Sequence, residues 1–115
     1  MRKGVRMSFI NLQSLAVKTP AEGVEIRVVA GEKMTLVFFY LSPGAKIPEH
    51  WHPHEQIGTV LNGSLELSIG SEKRIVHPGQ AYIIPSDVPH SGKNLEAPSE
   101  IIEVFSPPRE DLVNM

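Results

Sequence analysis

Apolar and polar side chains alternate along residues 25–30, where Ile26, Val28 and Ala30 are interleaved with Glu25 and Arg27. The same pattern returns in residues 64–69 with Leu65, Leu67 and Ile69. A period of two is that of a strand with one buried face. Residues 34–41 are instead apolar at almost every position, which predicts a strand covered on both faces, one of them against another subunit. Further strands are predicted at residues 55–61, 74–76, 81–84 and 101–105. Between them stand the turn signals Asn62-Gly63, Ile69-Gly70-Ser71, Pro78-Gly79 and Pro85-Ser86-Asp87. The 10 prolines and 9 glycines leave few pieces long enough for a helix of three turns. The expected fold class is therefore all-β, an antiparallel barrel or sandwich. Residues 8–18 have too weak a period to separate a short helix from an edge strand.

Composition narrows the class. A chain of 115 residues without internal repeat, low-complexity tract or long linker is expected to form a single domain. Hydrophobic residues make up 41% and charged residues 21%, both in the globular range, so the chain is expected to fold. The 11 Lys and Arg against 13 Asp and Glu leave a formal charge of -2, which favours neither nucleic acid nor an anionic membrane as partner. A small molecule is the expected partner. Without cysteine there is no disulfide framework, and any metal must be held by His, carboxylate or amide groups. Arg2, Lys3 and Arg6 could open a signal peptide, but Asn11, Gln13 and Ser14 interrupt the apolar run that would have to follow. Nor does any stretch approach the ~20 apolar residues of a membrane span. A cytoplasmic location is expected.

The candidate chemistry lies in the histidines. Three of the five, His50, His52 and His54, fall in the stretch HWHPHEQ, and His90 follows a proline-bounded strand. On an extended chain His50 and His52 point to the same side, so both imidazoles can reach one ion. Further ligands must come from neighbouring strands, and the pattern around Gln56 and His90 offers them. His54 shares that parity, but Pro53 disturbs the run. Glu55 is expected to face away from the site and Trp51 to pack outward.

The stretch GAKIPEHWHPHEQIGTVLNG, from Gly44 to Gly63, matches the pattern G-x5-H-x-H-x3-E-x6-G at every position but one. GQAYIIPSDVPHSGKN, from Gly79 to Asn94, follows G-x5-P-x-G-x2-H-x3-N, with Asp87 at the second glycine. These two motifs resemble those of the cupins. The resemblance implies a double-stranded β-helix (jelly-roll) barrel over residues 25–107, preceded by an N-terminal segment, residues 1–24, and followed by a tail, residues 108–115. It also implies one divalent transition metal, Zn, Ni, Mn, Co or Fe, held by His50, His52, Gln56 and His90. Gln56 stands where most cupins carry glutamate, so this ligand set has no anionic member and leaves the ion a stronger Lewis acid towards an anionic substrate.

On residues 101–105, Ile101, Glu103 and Phe105 share one face and Ile102 and Val104 the other, and parity alone leaves the inward face open. The tail EVFSPPRED resembles the DVFSPPRED ending of pectin-degradation cupins of the KdgF type, which also favour HxHPxEQ. That resemblance implies linearisation of 4,5-unsaturated uronate monosaccharides to the open-chain keto acid. Glu103 would transfer the proton, Arg109 would pair with the substrate carboxylate and Phe105 would pack against the ring. Here glutamate replaces the family's aspartate, lengthening the acid by a methylene. Two other classes stay open, a ferrous-iron dioxygenase and a non-catalytic barrel that binds metal or a sugar acid. Residues 34–41 and the habit of small cupins predict a homodimer.

Overall fold

A computed structural model describes residues 8–115, and the basic cluster Arg2, Lys3 and Arg6 lies outside the described residues. Among the described residues, a 3-10 turn, Leu12–Ser14, precedes ten strands and one short helix. The strands are β1 (Lys18–Ala21), β2 (Val24–Ala30), β3 (Thr35–Leu41), β4 (Lys46–His50) and β5 (Glu55–Asn62), then β6 (Leu65–Ile69), β7 (Glu72–Val76), β8 (Ala81–Ile84), β9 (His90–Asn94) and β10 (Ser99–Ser106). Helix α1 (Glu110–Val113) follows β10. Among the described residues no helix is long and apolar enough to cross a membrane.

The strands form two antiparallel sheets, six-stranded in the order β1-β2-β3-β10-β5-β8 and four-stranded in the order β4-β9-β6-β7. One core joins them, with Ile26, Val37, Val60, Ile84 and Ile101 from the larger sheet and Leu65, Leu67 and Val76 from the smaller. From β3 onward most connections cross from one sheet to the other, the winding of a double-stranded β-helix. A fully buried Asn94 ties the ends of that winding. Its amide nitrogen donates to the carbonyls of Leu41, Ser42 and Ala97, and its oxygen accepts from Ser99 Oγ at 2.5 Å.

Alternation along each strand decides what the barrel encloses. One inward row runs through Thr35, Phe105, Gln56 and Ile84, and the next through Val28, Val37, Glu103, Gly58 and Tyr82. The outward row between them is Val29, Leu36, Val104, Ile57 and Ile83, apolar across five strands. Within the single chain, one face of residues 34–41 is covered and the other is not. Val37 and Leu41 are buried, whereas Tyr40 is 41% exposed and Leu36 and Phe38 are half-buried. Ile57 and Ile83 extend this apolar face at 47% and 60% exposure. A continuous patch of this kind is what a second copy of a chain covers. We expect light scattering to return twice the chain mass at micromolar concentration, and Ile57→Lys with Ile83→Lys to return a monomer. A monomeric parent at high micromolar concentration would remove the dimer.

Candidate metal centre

His50 closes β4 and lies opposite His90 on β9, with ring centroids 4.2 Å apart. The His52 ring stands 5.6 Å from that of His50 and 5.0 Å from that of His90. His52 follows two residues after the end of β4, in the segment that joins β4 to β5. That segment is held from another loop, where the Asp87 N–H donates to the His52 carbonyl at 2.8 Å. Asp87 has φ of 63°, a left-handed conformation that glycine adopts freely and aspartate tolerates, which accounts for its place at the motif's second glycine.

Each of the three imidazoles is oriented by the main chain. His50 Nδ1 meets the Pro48 carbonyl at 2.8 Å, His52 Nδ1 that of His54 at 3.1 Å and His90 Nδ1 that of Val88 at 2.9 Å. A carbonyl can only accept, so Nδ1 carries the proton and Nε2 presents its lone pair. The Nε2 atoms of His52 and His90 and the Oε1 of Gln56 are buried without any hydrogen-bond partner. One potential ligand atom from each of His50, His52 and His90 lies within 4.8 Å of the others. Buried acceptors without donors are costly, and a single cation would satisfy them together. This donor set fits a divalent transition ion. The Gln56 side chain also favours the ionised form of Glu103. Burial first, then Arg109 and the neighbouring imidazoles, pull the His52 pKa down to about 4, and burial lowers that of His90. Both rings are therefore neutral at pH 7, as metal ligands must be.

The residues around the histidines divide cleanly. Trp51 is 64% exposed and Glu55 is exposed, whereas His54 packs edge-on against His52 at 5.3 Å without joining the three-histidine cluster.

A cavity of about 320 Å³ lies beside the cluster, with Ile26, Leu65, Phe105 and Leu112 among its apolar walls and Gln56, Glu103 and Arg109 among its polar ones. The parity question on β10 is resolved here, since Ile101, Glu103 and Phe105 face inward. Glu103 accepts a hydrogen bond from the Tyr82 hydroxyl at 2.5 Å. Burial raises the Glu103 pKa, while Tyr82, Gln56 and Arg109 draw it back. Tyr82 is pushed up by burial and by Glu103, so it remains the protonated donor. Phe105 meets His52 edge-on at 5.8 Å and carries the Arg109 guanidinium 4.7 Å above its ring. The Arg109 N–H donates to Thr35 Oγ1 at 3.0 Å, anchoring the tail to β3. Its side chain already spends Nε and Nη2 on Asp111, at 2.9 and 2.8 Å, leaving the Nη1 end for an incoming anion. That pairing holds the Asp111 carboxyl down to about 2. Sequence reasoning singled out neither Tyr82 nor Asp111. The signal for Asp111 was its position two residues after Arg109.

Residues 37–105 match the cupin domain family. The chain belongs to the cupins. It is 33% identical to the pectin degradation protein KdgF of Dickeya dadantii (strain 3937), over 80% of this chain and 86% of that protein. The cupin barrel superposes on the structure of KdgF from Halomonas sp. with a TM-score of 0.85 at 32% identity, covering 91% of this chain and 99% of the other. Bacillus subtilis oxalate decarboxylase, a protein with Mn(II) centres, gives a TM-score of 0.77 at 26% identity. That match covers 85% of this cupin but only 29% of the decarboxylase chain. The chain is thus a small cupin similar to the KdgF proteins, and its His50, His52 and His90 could hold a metal ion.

Proposed function

We propose that this cupin opens the ring of 4,5-unsaturated uronate monosaccharides in a metal-dependent isomerisation. The observation that carries the reading is the meeting, in one cavity, of the histidine cluster with an inward carboxylate and an arginine. Similarity to proteins named for pectin degradation supports it. His50, His52, Gln56 and His90 would hold one divalent transition ion, which supplies Lewis acidity to a developing oxygen anion.

The rest of the chemistry falls to the protein's own groups. In the substrate, C4=C5 is joined to the ring oxygen and the carboxylate sits on C5. Loss of the anomeric hydroxyl proton breaks the bond between C1 and the ring oxygen, leaving an aldehyde at C1 and an enolate at C5. Protonation of C4 then gives the 5-keto acid, with no net change of oxidation state. Glu103 is the group that takes and delivers the proton, and its raised pKa suits a carrier of that kind. Arg109 pairs with the substrate carboxylate through its free Nη1 end. Phe105 supplies a flat apolar surface for the unsaturated edge of the ring.

The test begins with metal analysis of protein purified without added metal, followed by incubation with an unsaturated monouronate while the ultraviolet absorbance of the conjugated enoate is followed. Metal-dependent loss of that absorbance, with formation of the keto acid, is expected. Oxygen consumption during turnover would instead favour the ferrous dioxygenase, and binding without conversion the non-catalytic barrel. Arg109→Ala should weaken substrate binding by about 2 kcal/mol, seen as a raised KM at nearly unchanged metal content. Because Asp111 leaves Arg109 only part of its donor set, Asp111→Asn should leave KM within a few-fold of the parent.

A further inference from the structure

Glu103, Gly58 and Tyr82 lie side by side on three hydrogen-bonded strands, with Glu103 of β10 opposite Gly58 of β5 and Gly58 opposite Tyr82 of β8. Residues two strands apart do not ordinarily touch when the strand between them carries a side chain. Here that strand carries none. A Cβ at Gly58 would stand 2.5 Å from both Cζ and the hydroxyl oxygen of Tyr82 and 2.7 Å from Cε1, distances at which something must shift. The Tyr82 ring therefore occupies the space left by the missing side chain and spans β5 to reach the carboxylate. Its backbone has no positive φ to demand glycine, so the close approach of the ring is what the residue serves.

We propose that Tyr82 is a positioning residue for the proton-transfer carboxylate, and that Gly58 is glycine so that the tyrosine can reach it. The inference rests on the reading of Glu103 given above. Tyr82 is buried and does not line the cavity, so it can act on a ligand there only through Glu103. It holds Oε2 at 2.5 Å. This contact restricts rotation of the carboxyl group, whose other oxygen Tyr82 leaves unheld. This arrangement also gives a reason for the longer acid at this position. Glutamate reaches back across β5 to the hydroxyl, whereas an aspartate would stop about one methylene short of it.

The test uses the full-length, metal-loaded protein. With an unsaturated monouronate, Tyr82→Phe should lower kcat by about 10-fold while KM stays within two-fold and metal content is unchanged. Gly58→Ala keeps the hydroxyl but pushes the ring aside, and should lower kcat similarly. In a Glu103→Asp background, whatever its own rate, adding Tyr82→Phe should change kcat by less than two-fold, because the contact is already gone. A merely structural role would give the same loss in both backgrounds, and that outcome overturns the proposal. A second readout is independent of turnover. In protein labelled with 13C at glutamate carboxyl carbons, the Glu103 resonance, assigned by its loss in Glu103→Gln, should move in both Tyr82→Phe and Gly58→Ala. An unmoved resonance overturns the proposal. A moved resonance in a protein that leaves the uronate untouched keeps the contact and removes only the assigned reaction.

Discussion

Alanine at both His50 and His52 is expected to abolish metal binding and to lower the melting temperature to that of the chelated parent. The two rings present lone pairs whose tautomers the main chain already fixes. An ion that binds only the folded state contributes about 4 kcal/mol when present at 1,000 times its Kd. In a domain of this size such a loss corresponds to a shift on the order of 10 °C or more. Calorimetry of the parent with and without chelator, beside the double variant and with metal content measured on each, checks both parts. Metal still bound at one per chain in the double variant would place the site elsewhere.

Glu103→Gln is expected to lower turnover of the unsaturated uronate by about 100-fold or more with metal content intact. The amide oxygen can still accept from Tyr82, so packing and orientation survive while the transferable proton is lost. The variant should therefore melt near the parent. Full activity in Glu103→Gln would falsify the role of this carboxylate, and loss of metal would make it part of the ion's support. Steady-state kinetics with metal analysis separate the two.

Much of the barrel was legible because burial on one face of a strand writes a period of two. Residues 81–84 are β8 itself, and β2, β3, β5 and β6 differ from the predicted spans by a residue at one end. Strand β1 was one of two alternatives left open for residues 1–24, and β4 and β9 escaped. Lys18–Ala21 and Lys46–His50 each contain a proline and little alternation, and His90–Asn94 is almost wholly polar. Two of these three pair in the smaller sheet and bring His50 opposite His90, so the strands hardest to read carry two of the three clustered histidines. Polar residues that serve a site break the very pattern by which strands are recognised. The three histidines that come together were legible from motif spacing, but the hydrogen bond from Asp87 that holds the main chain at His52 was not. The direction of Glu103 was open because Ile101, Phe105, Ile102 and Val104 supply apolar side chains to both faces of β10. Only the outward apolar row across five strands reveals why both faces are hydrophobic.

The three groups that orient the imidazoles are the carbonyls of Pro48, His54 and Val88, and none belongs to a side chain. Point mutation cannot delete a carbonyl, so this half of the ion's environment is inherited with the path of the chain rather than with residue identity. Substitutions at the proposed acid Glu103, the proposed anion partner Arg109 or the apolar wall Phe105 fall instead on β10 and the tail. A barrel built this way can change what it acts on while the pocket for the ion stays whole, and new specificities can be sought by varying Glu103, Phe105 and Arg109 without rebuilding the centre they face.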